Sequence, residues 1–102
     1  KYHSQWTVYK GIKYASKREA KHAAELDLLV RAGEIKSWRR QVRVPLIVNN
    51  TLITNYVVDF EIQNIDGTIQ FEEVKGFKTD LFKLKYALFT ALYPEKRIIL
   101  IK

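Results

Sequence analysis

Cysteine and methionine are both missing from this chain, and its 102 residues include only 4 glycines, 2 prolines and 2 histidines. Without cysteine there are no disulfides, no thiolate nucleophile and no sulfur-ligated metal. The histidines, His3 and His22, stand apart, which does not suit a paired-histidine centre. Glycine is too sparse for a phosphate-cradling loop, and no Gly-x-Ser-x-Gly elbow occurs. No apolar run approaches the roughly 18 residues needed to span a bilayer, and no charged-then-apolar leader opens the sequence. A soluble, cytoplasmic protein without a membrane partner is therefore expected.

What is abundant is positive charge. The balance is 18 Lys+Arg against 11 Asp+Glu, a net charge of +7 and a pI near 9.7, which points to a polyanionic partner such as nucleic acid. Against that background the acids are unevenly spread. Five of the eleven fall between Asp59 and Glu73, a stretch with no Lys or Arg, which ends in Glu72-Glu73-Val74-Lys75.

The length and the 47% hydrophobic content fit one compact domain over residues 1–102, with an N-terminal hairpin or extended arm at 1–15 and a core at 16–102. Residues Gln5 to Tyr14 alternate around Lys10-Gly11. Ser16-Lys17-Arg18-Glu19 opens an apolar helical pattern that Gly33 stops, predicting a helix from about Lys17 to Ala32. Trp38 to Val48 and Thr51 to Gln63 are rich in β-branched and aromatic residues on either side of Asn49-Asn50, and read as a long hairpin. Asp66-Gly67 turns into a third strand, Thr68 to Lys75. Leu81, Phe82, Leu84, Leu88, Phe89 and Leu92 give a second helix from Thr79 to Tyr93, and Arg97 to Ile101 gives a last strand. A right-handed crossover should set that strand parallel to Thr68 to Lys75. The expected class is α+β, in the order helix, three antiparallel strands, helix, strand, with a mixed sheet flanked by helices.

Glu73 and Lys75, two apart on a strand, leave one face. Asp59 joins them if the loop is Ile65-Asp66-Gly67 with Gly67 left-handed, whereas a two-residue Asp66-Gly67 turn sends Asp59 to the other face. The functional reading thus requires a three-residue loop or a bulge near Asp59. Two carboxylates held together repel unless a cation neutralises them, and all-oxygen ligands favour Mg²⁺, with Mn²⁺ substituting. The competing reading is of solvated charges on an edge strand. Apolar neighbours, Val57, Val58, Phe60, Ile62, Phe71 and Val74, argue instead for a central strand, where unpaired charge is costly. Glu19 forms a capping box with Ser16, yet it also lies on the inward stripe Ala23, Leu26, Val30, so that helix capping and a third acid for the site are both open to it.

Glu19 on a first helix, Asp59 in Tyr56-Val-Val-Asp59-Phe60, and Glu73-Val74-Lys75 on the next strand resemble the PD-(D/E)XK nuclease superfamily. Ser16-Lys-Arg-Glu19-Ala, Ala32-Gly33-Glu34-Ile35, Gln41, Asp59-Phe60, Glu73-Val-Lys75-Gly76 and Thr79 through Leu84-Lys85 are similar to a family of small phage endonucleases within it. Holliday junction resolvases and transposase endonuclease subunits are similar in motif order. The resemblance covers roughly residues 10 to 102, and the Pro expected before the Asp is Val58 here. It implies a restriction-endonuclease-like core and a metal-dependent DNA endonuclease. It also implies that Asp59, Glu73 and Glu19 ligate Mg²⁺, with Lys75 as the catalytic lysine and Gln41 beside the active site. Gln41 as a plain strand residue facing solvent remains the alternative.

Basic residues suited to the DNA backbone flank the acidic island: Lys17 and Arg18; Arg39, Arg40 and Arg43; and Lys78, Lys83 and Lys85. Ordinary solvated helix faces would account for several of them. Because no base-reading module is evident, recognition should follow shape or backbone. The resemblance implies branched DNA as substrate, as in recombination or replication, and symmetric junction cutting would need a homodimer. A non-catalytic nucleic-acid-binding protein and a nuclease subunit that needs a targeting partner are the competing readings.

Overall fold

The computed structural model describes residues 6–74 and 79–101. Two strands open the chain, β1 (Thr7–Tyr9) and β2 (Ile12–Tyr14), joined by Lys10-Gly11 with φ of 51° and 79°, the left-handed pair that a two-residue hairpin turn demands. Helix α1 (Lys17–Arg31) starts where the Ser16 hydroxyl accepts the Glu19 N–H at 3.1 Å. It stops at Gly33, φ 77°, where the Glu34 N–H returns to the Leu29 carbonyl. Strands β3 (Ile35–Val48) and β4 (Thr51–Asn64) form the long hairpin, turning at Asn49-Asn50, with φ of 50° and 63°. β5 (Ile69–Val74), α2 (Asp80–Leu92), capped by the Thr79 hydroxyl, and β6 (Arg97–Ile101) complete the order.

One sheet runs β3-β4-β5-β6, antiparallel except for the parallel pair β5–β6, so β4 and β5 are interior strands. The architecture is α+β, a four-stranded mixed sheet with two helices. Each face has its own core. Tyr14, Ala20, Ala23, Leu26, Phe60, Ile62 and Val74 pack under α1, and Val44, Leu46, Tyr56, Val58, Phe71 and Phe89 pack under α2. Burying a side chain such as Phe60 or Phe89 stabilises the fold by about 2–3 kcal/mol. The N-terminal hairpin is tied down through Asp27, which accepts from Tyr9 Oη at 2.6 Å and from Trp38 Nε1 at 2.9 Å, with Lys10 Nζ at 3.3 Å. No described helix is long and apolar enough to cross a membrane.

The hairpin β3–β4 does not alternate uniformly. Trp38, Phe60 and Ile62 belong to the α1 core, and Arg40 lies over the Tyr14 ring at 4.7 Å. Val42, Val44, Leu46, Tyr56 and Val58 have the same parity but belong to the α2 core. The changeover falls between the pairs Arg40↔Phe60 and Val42↔Val58, where Gln41 takes φ 54° opposite Asp59. A left-handed residue in one strand interrupts the period of two, and the ribbon turns over there. Val58, Asp59 and Phe60 are consequently buried in succession.

Candidate active site

Asp59 sits at that turnover point. The β4–β5 register is Phe60↔Glu72, Glu61↔Phe71, Ile62↔Gln70 and Gln63↔Ile69, and its next step opposes Asp59 to Glu73. This register comes from the loop. Asn64 N–H donates to the Thr68 carbonyl at 2.8 Å around Ile65-Asp66-Gly67, with Gly67 at φ 90°, the three-residue loop that the site requires. Of the two devices anticipated, a three-residue loop or a bulge near Asp59, the loop is present, and the β3–β4 register passes Asp59 without a shift. The ladder ends at Phe60↔Glu72, and the Asp59 carboxylate takes over, accepting the Val74 N–H at 2.8 Å. A side chain thus satisfies a buried strand donor and fixes one of its own oxygens.

Asp59 is 8% exposed and Glu73 1%. Odd positions of β5 face α2, so Glu73 shares its face with Phe71 and reaches the neighbourhood of Tyr56. Burial above all, then the Glu73 carboxylate and then Asp59, pushes the Tyr56 phenol far above its ordinary pKa. Tyr56 thus keeps its proton beside both acids. An open cleft of about 190 Å³ leads to this place, lined by Tyr56, Val57, Glu73, Thr79, Leu81, Phe82 and Lys85.

The other expected site residues are placed less uniformly. Lys75 and Lys78 lie outside the described residues. Glu19 is half-buried on the first turn of α1, and its charge is felt at Tyr14. Among the described residues no group of three or more His, Cys, Asp or Glu is placed to hold a metal ion. The charges of Asp59 and Glu73 both reach Tyr56, which puts these two carboxylates in one neighbourhood, while Glu19 belongs to the first turn of α1. Gln41 is exposed, across from Asp59. Arg39 is engaged by Glu61, at 2.7 Å from Nε and 2.6 Å from an Nη, and Arg40 stacks on Tyr14. Trp38 is a core residue that donates to Asp27. Lys17, Arg18, Arg43 and Lys83 are exposed, and Lys85 edges the cleft.

Two features escaped the sequence reading. Tyr56 is three residues from Asp59, a spacing that shares no face in a regular strand, and only the turnover at Gln41 brings it alongside. His22, set aside as isolated, meets Glu72 at 2.5 Å and lies edge-on to Phe60 at a centroid distance of 5.0 Å. The signal for His22 was present: it follows Glu19 by three residues on α1, the spacing of one helical face.

All 102 residues match the family model described as Protein of unknown function (DUF1064). The chain belongs to this family. No curated protein and no solved structure matches it. The description of DUF1064 assigns no activity, so the arguments for function come from this chain's own geometry and sequence.

Proposed function

We propose that this DUF1064 chain is a metal-dependent DNA endonuclease with a restriction-endonuclease-like core, acting on branched DNA. One observation carries the reading: Asp59 and Glu73, both buried, fall opposite each other when the register of the two interior strands is continued by one step, both charges are felt at Tyr56, and Glu73 lines a cleft. That juxtaposition, with Val74-Lys75 following Glu73, fits the PD-(D/E)XK resemblance. Two carboxylates and no nitrogen or sulfur donor suit Mg²⁺, which commonly takes one or two protein carboxylates and fills its remaining positions with water and substrate oxygens. When bound, such an ion would supply charge that acidifies water and offsets the negative charge gathering on a phosphate.

The chain's own groups divide the remaining work. The Val74 N–H holds Asp59 in one orientation, so its other oxygen is presented at a fixed place. Tyr56 stays neutral and apolar residues wall the cleft, which keeps the electrostatic interactions of the two carboxylates strong. Lys85 and Thr79 at the rim suit a phosphate of the entering strand. Lys75, by the resemblance, is the catalytic lysine.

The test is cleavage of labelled four-way junction, flap, duplex and single-stranded DNA with Mg²⁺ or Mn²⁺, for wild type, Asp59→Asn and Lys75→Ala. The reading expects metal-dependent cutting that both substitutions abolish. DNA binding without cutting under every condition would overturn it in favour of a non-catalytic binding module or a subunit that needs its partner.

A further inference from the structure

A second cleft, also about 190 Å³, opens on the opposite side of β5. It is lined by Arg18, Lys21, His22 and Glu25 of α1 with Val74 and Ile101. Val74 and Ile101 are a register pair at the carboxyl ends of the parallel strands β5 and β6, the end of a parallel pair where ligands commonly enter. The volume is several times the roughly 30 Å³ that a water molecule occupies in the liquid.

The charges facing this cleft can be counted element by element. Among the described residues, α1 contributes Arg18, Lys21, His22 and Glu25; β5 contributes Glu72, behind His22; and β6 contributes the uncharged Ile101. His22 lies between two carboxylates, Nε2 at 2.5 Å from Glu72 and Nδ1 at 3.6 Å from Glu25, so its charge is answered locally. With His22 protonated these groups sum to one net positive charge, and the long basic side chains on the lining are Arg18 and Lys21, three apart on one helix face. Arg18 also donates from one Nη to the Ile101 carbonyl at 3.3 Å, which leans the guanidinium over the strand ends while its other donors remain for a ligand. A planar donor fork beside a lysine is the pairing that recognises a phosphate oxygen cluster.

We propose that Arg18 and Lys21, over the strand ends Val74 and Ile101, bind a phosphate group of nucleic acid. This rests on the DNA reading for its source of phosphate, and it adds a grip on the α1 side of β5, one residue along the strand from Glu73. The phosphate is either an internal diester of the backbone or a terminal monoester.

Binding of fluorescent four-way junction and duplex to the full chain in EDTA, over a series of salt concentrations, tests this without catalysis. R18Q/K21Q is compared with R31Q/K96Q, which removes the same charge elsewhere. R18Q/K21Q should flatten the plot of log affinity against log salt by about one to two units, and R31Q/K96Q should not. Inorganic phosphate added to isotope-labelled wild type should shift the Arg18, Lys21 and His22 signals, and R18Q/K21Q should lose the shifts at unchanged melting temperature. Oligonucleotides with and without a 5′-phosphate separate the two sources, since only a terminal site prefers the phosphorylated form. Equal salt slopes in the two double variants, with no phosphate shifts at these residues, would overturn the proposal. If R18Q/K21Q behaves as the control while Asp59→Asn abolishes cleavage, this inference falls and the nuclease reading stands. Phosphate shifts here with no cleavage of any substrate would support the inference and remove the nuclease.

Discussion

Glu72 and Glu73 are neighbours in sequence, both are buried, and they point to opposite faces of β5 into unlike surroundings. Glu72 accepts from Gln70 Nε2 at 2.9 Å and meets His22 at 2.5 Å, so a cation and an amide answer its charge and join β5 to α1. Glu73 shares the neighbourhood of Tyr56 with a second acid, Asp59, and the two carboxylates help to keep that phenol protonated. A buried carboxylate beside its counterion is readily explained as part of the scaffold, whereas acids gathered together raise the energy of the folded chain unless a cation joins them. Such an arrangement marks a site of function more often than one of stability.

The largest expected contrast is between Glu73→Gln and Glu72→Gln. Glu73→Gln, like Asp59→Asn, should lower the cleavage rate by roughly 10³-fold or more, as loss of a group that holds charge at the reacting phosphate does. Glu72→Gln should leave cleavage measurable at low temperature but destabilise the fold by about 1.5–3 kcal/mol, because His22 loses a charged partner in a mostly buried place. For a chain of this size that lowers Tm on the order of 10 °C. Calorimetry and the junction assay, run on both variants, read the contrast. Equal losses of activity in the two would mean that the faces of β5 do not divide the work in this way.

The Glu72 side should also be the pH-sensitive one. The hydrogen bond that His22 Nε2 donates to Glu72 raises the pKa of His22, outweighing the burial that opposes it. A histidine whose folded pKa exceeds its unfolded value of about 6.5 contributes stability that is complete below that pH and is lost as pH climbs through the folded pKa. The stability difference between wild type and His22→Gln should accordingly be greatest near about pH 6 and shrink toward about pH 9. A difference constant across that range would contradict the assignment.

Much of this arrangement is legible from local chemistry. Ser16 and Gly33 bound α1, Asn49-Asn50 and Asp66-Gly67 turn the strands, and the choice between a two- and a three-residue loop states in advance where Asp59 stands. What local pattern does not carry is the turnover at Gln41. Its left-handed backbone falls where the hairpin passes from one core to the other, and a rule of period two would have placed Tyr56 on the same face as Phe60. The meeting of His22 with Glu72 joins residues 50 apart in sequence, and depends on how α1 is laid across β5. Glu19 is half-buried on the first turn of α1, and its charge is felt at Tyr14 in the core beneath that helix.

The smallest effect concerns the loop that sorts Glu72 from Glu73. Gly67 has φ 90°, where a side chain is strained, but a Cβ built there meets nothing within 4 Å. Gly67→Ala should therefore cost about 1 kcal/mol of backbone strain and no packing. The rest of the loop resists a change of register. Asp66 Oδ1 accepts from the Thr68 N–H at 3.0 Å and from its hydroxyl at 2.7 Å, and Asn64 Nδ2 donates to the same hydroxyl at 3.1 Å. With Asp59 still opposite Glu73, cleavage should stay within about two-fold of wild type while Tm falls by about 4–8 °C. Loss of cleavage at unchanged Tm would instead mean that the strands had slipped by one residue. A slip of that kind exchanges the faces of Glu72 and Glu73. The same variant would then show a changed titration of His22, because the carboxylate at its Nε2 would no longer be there.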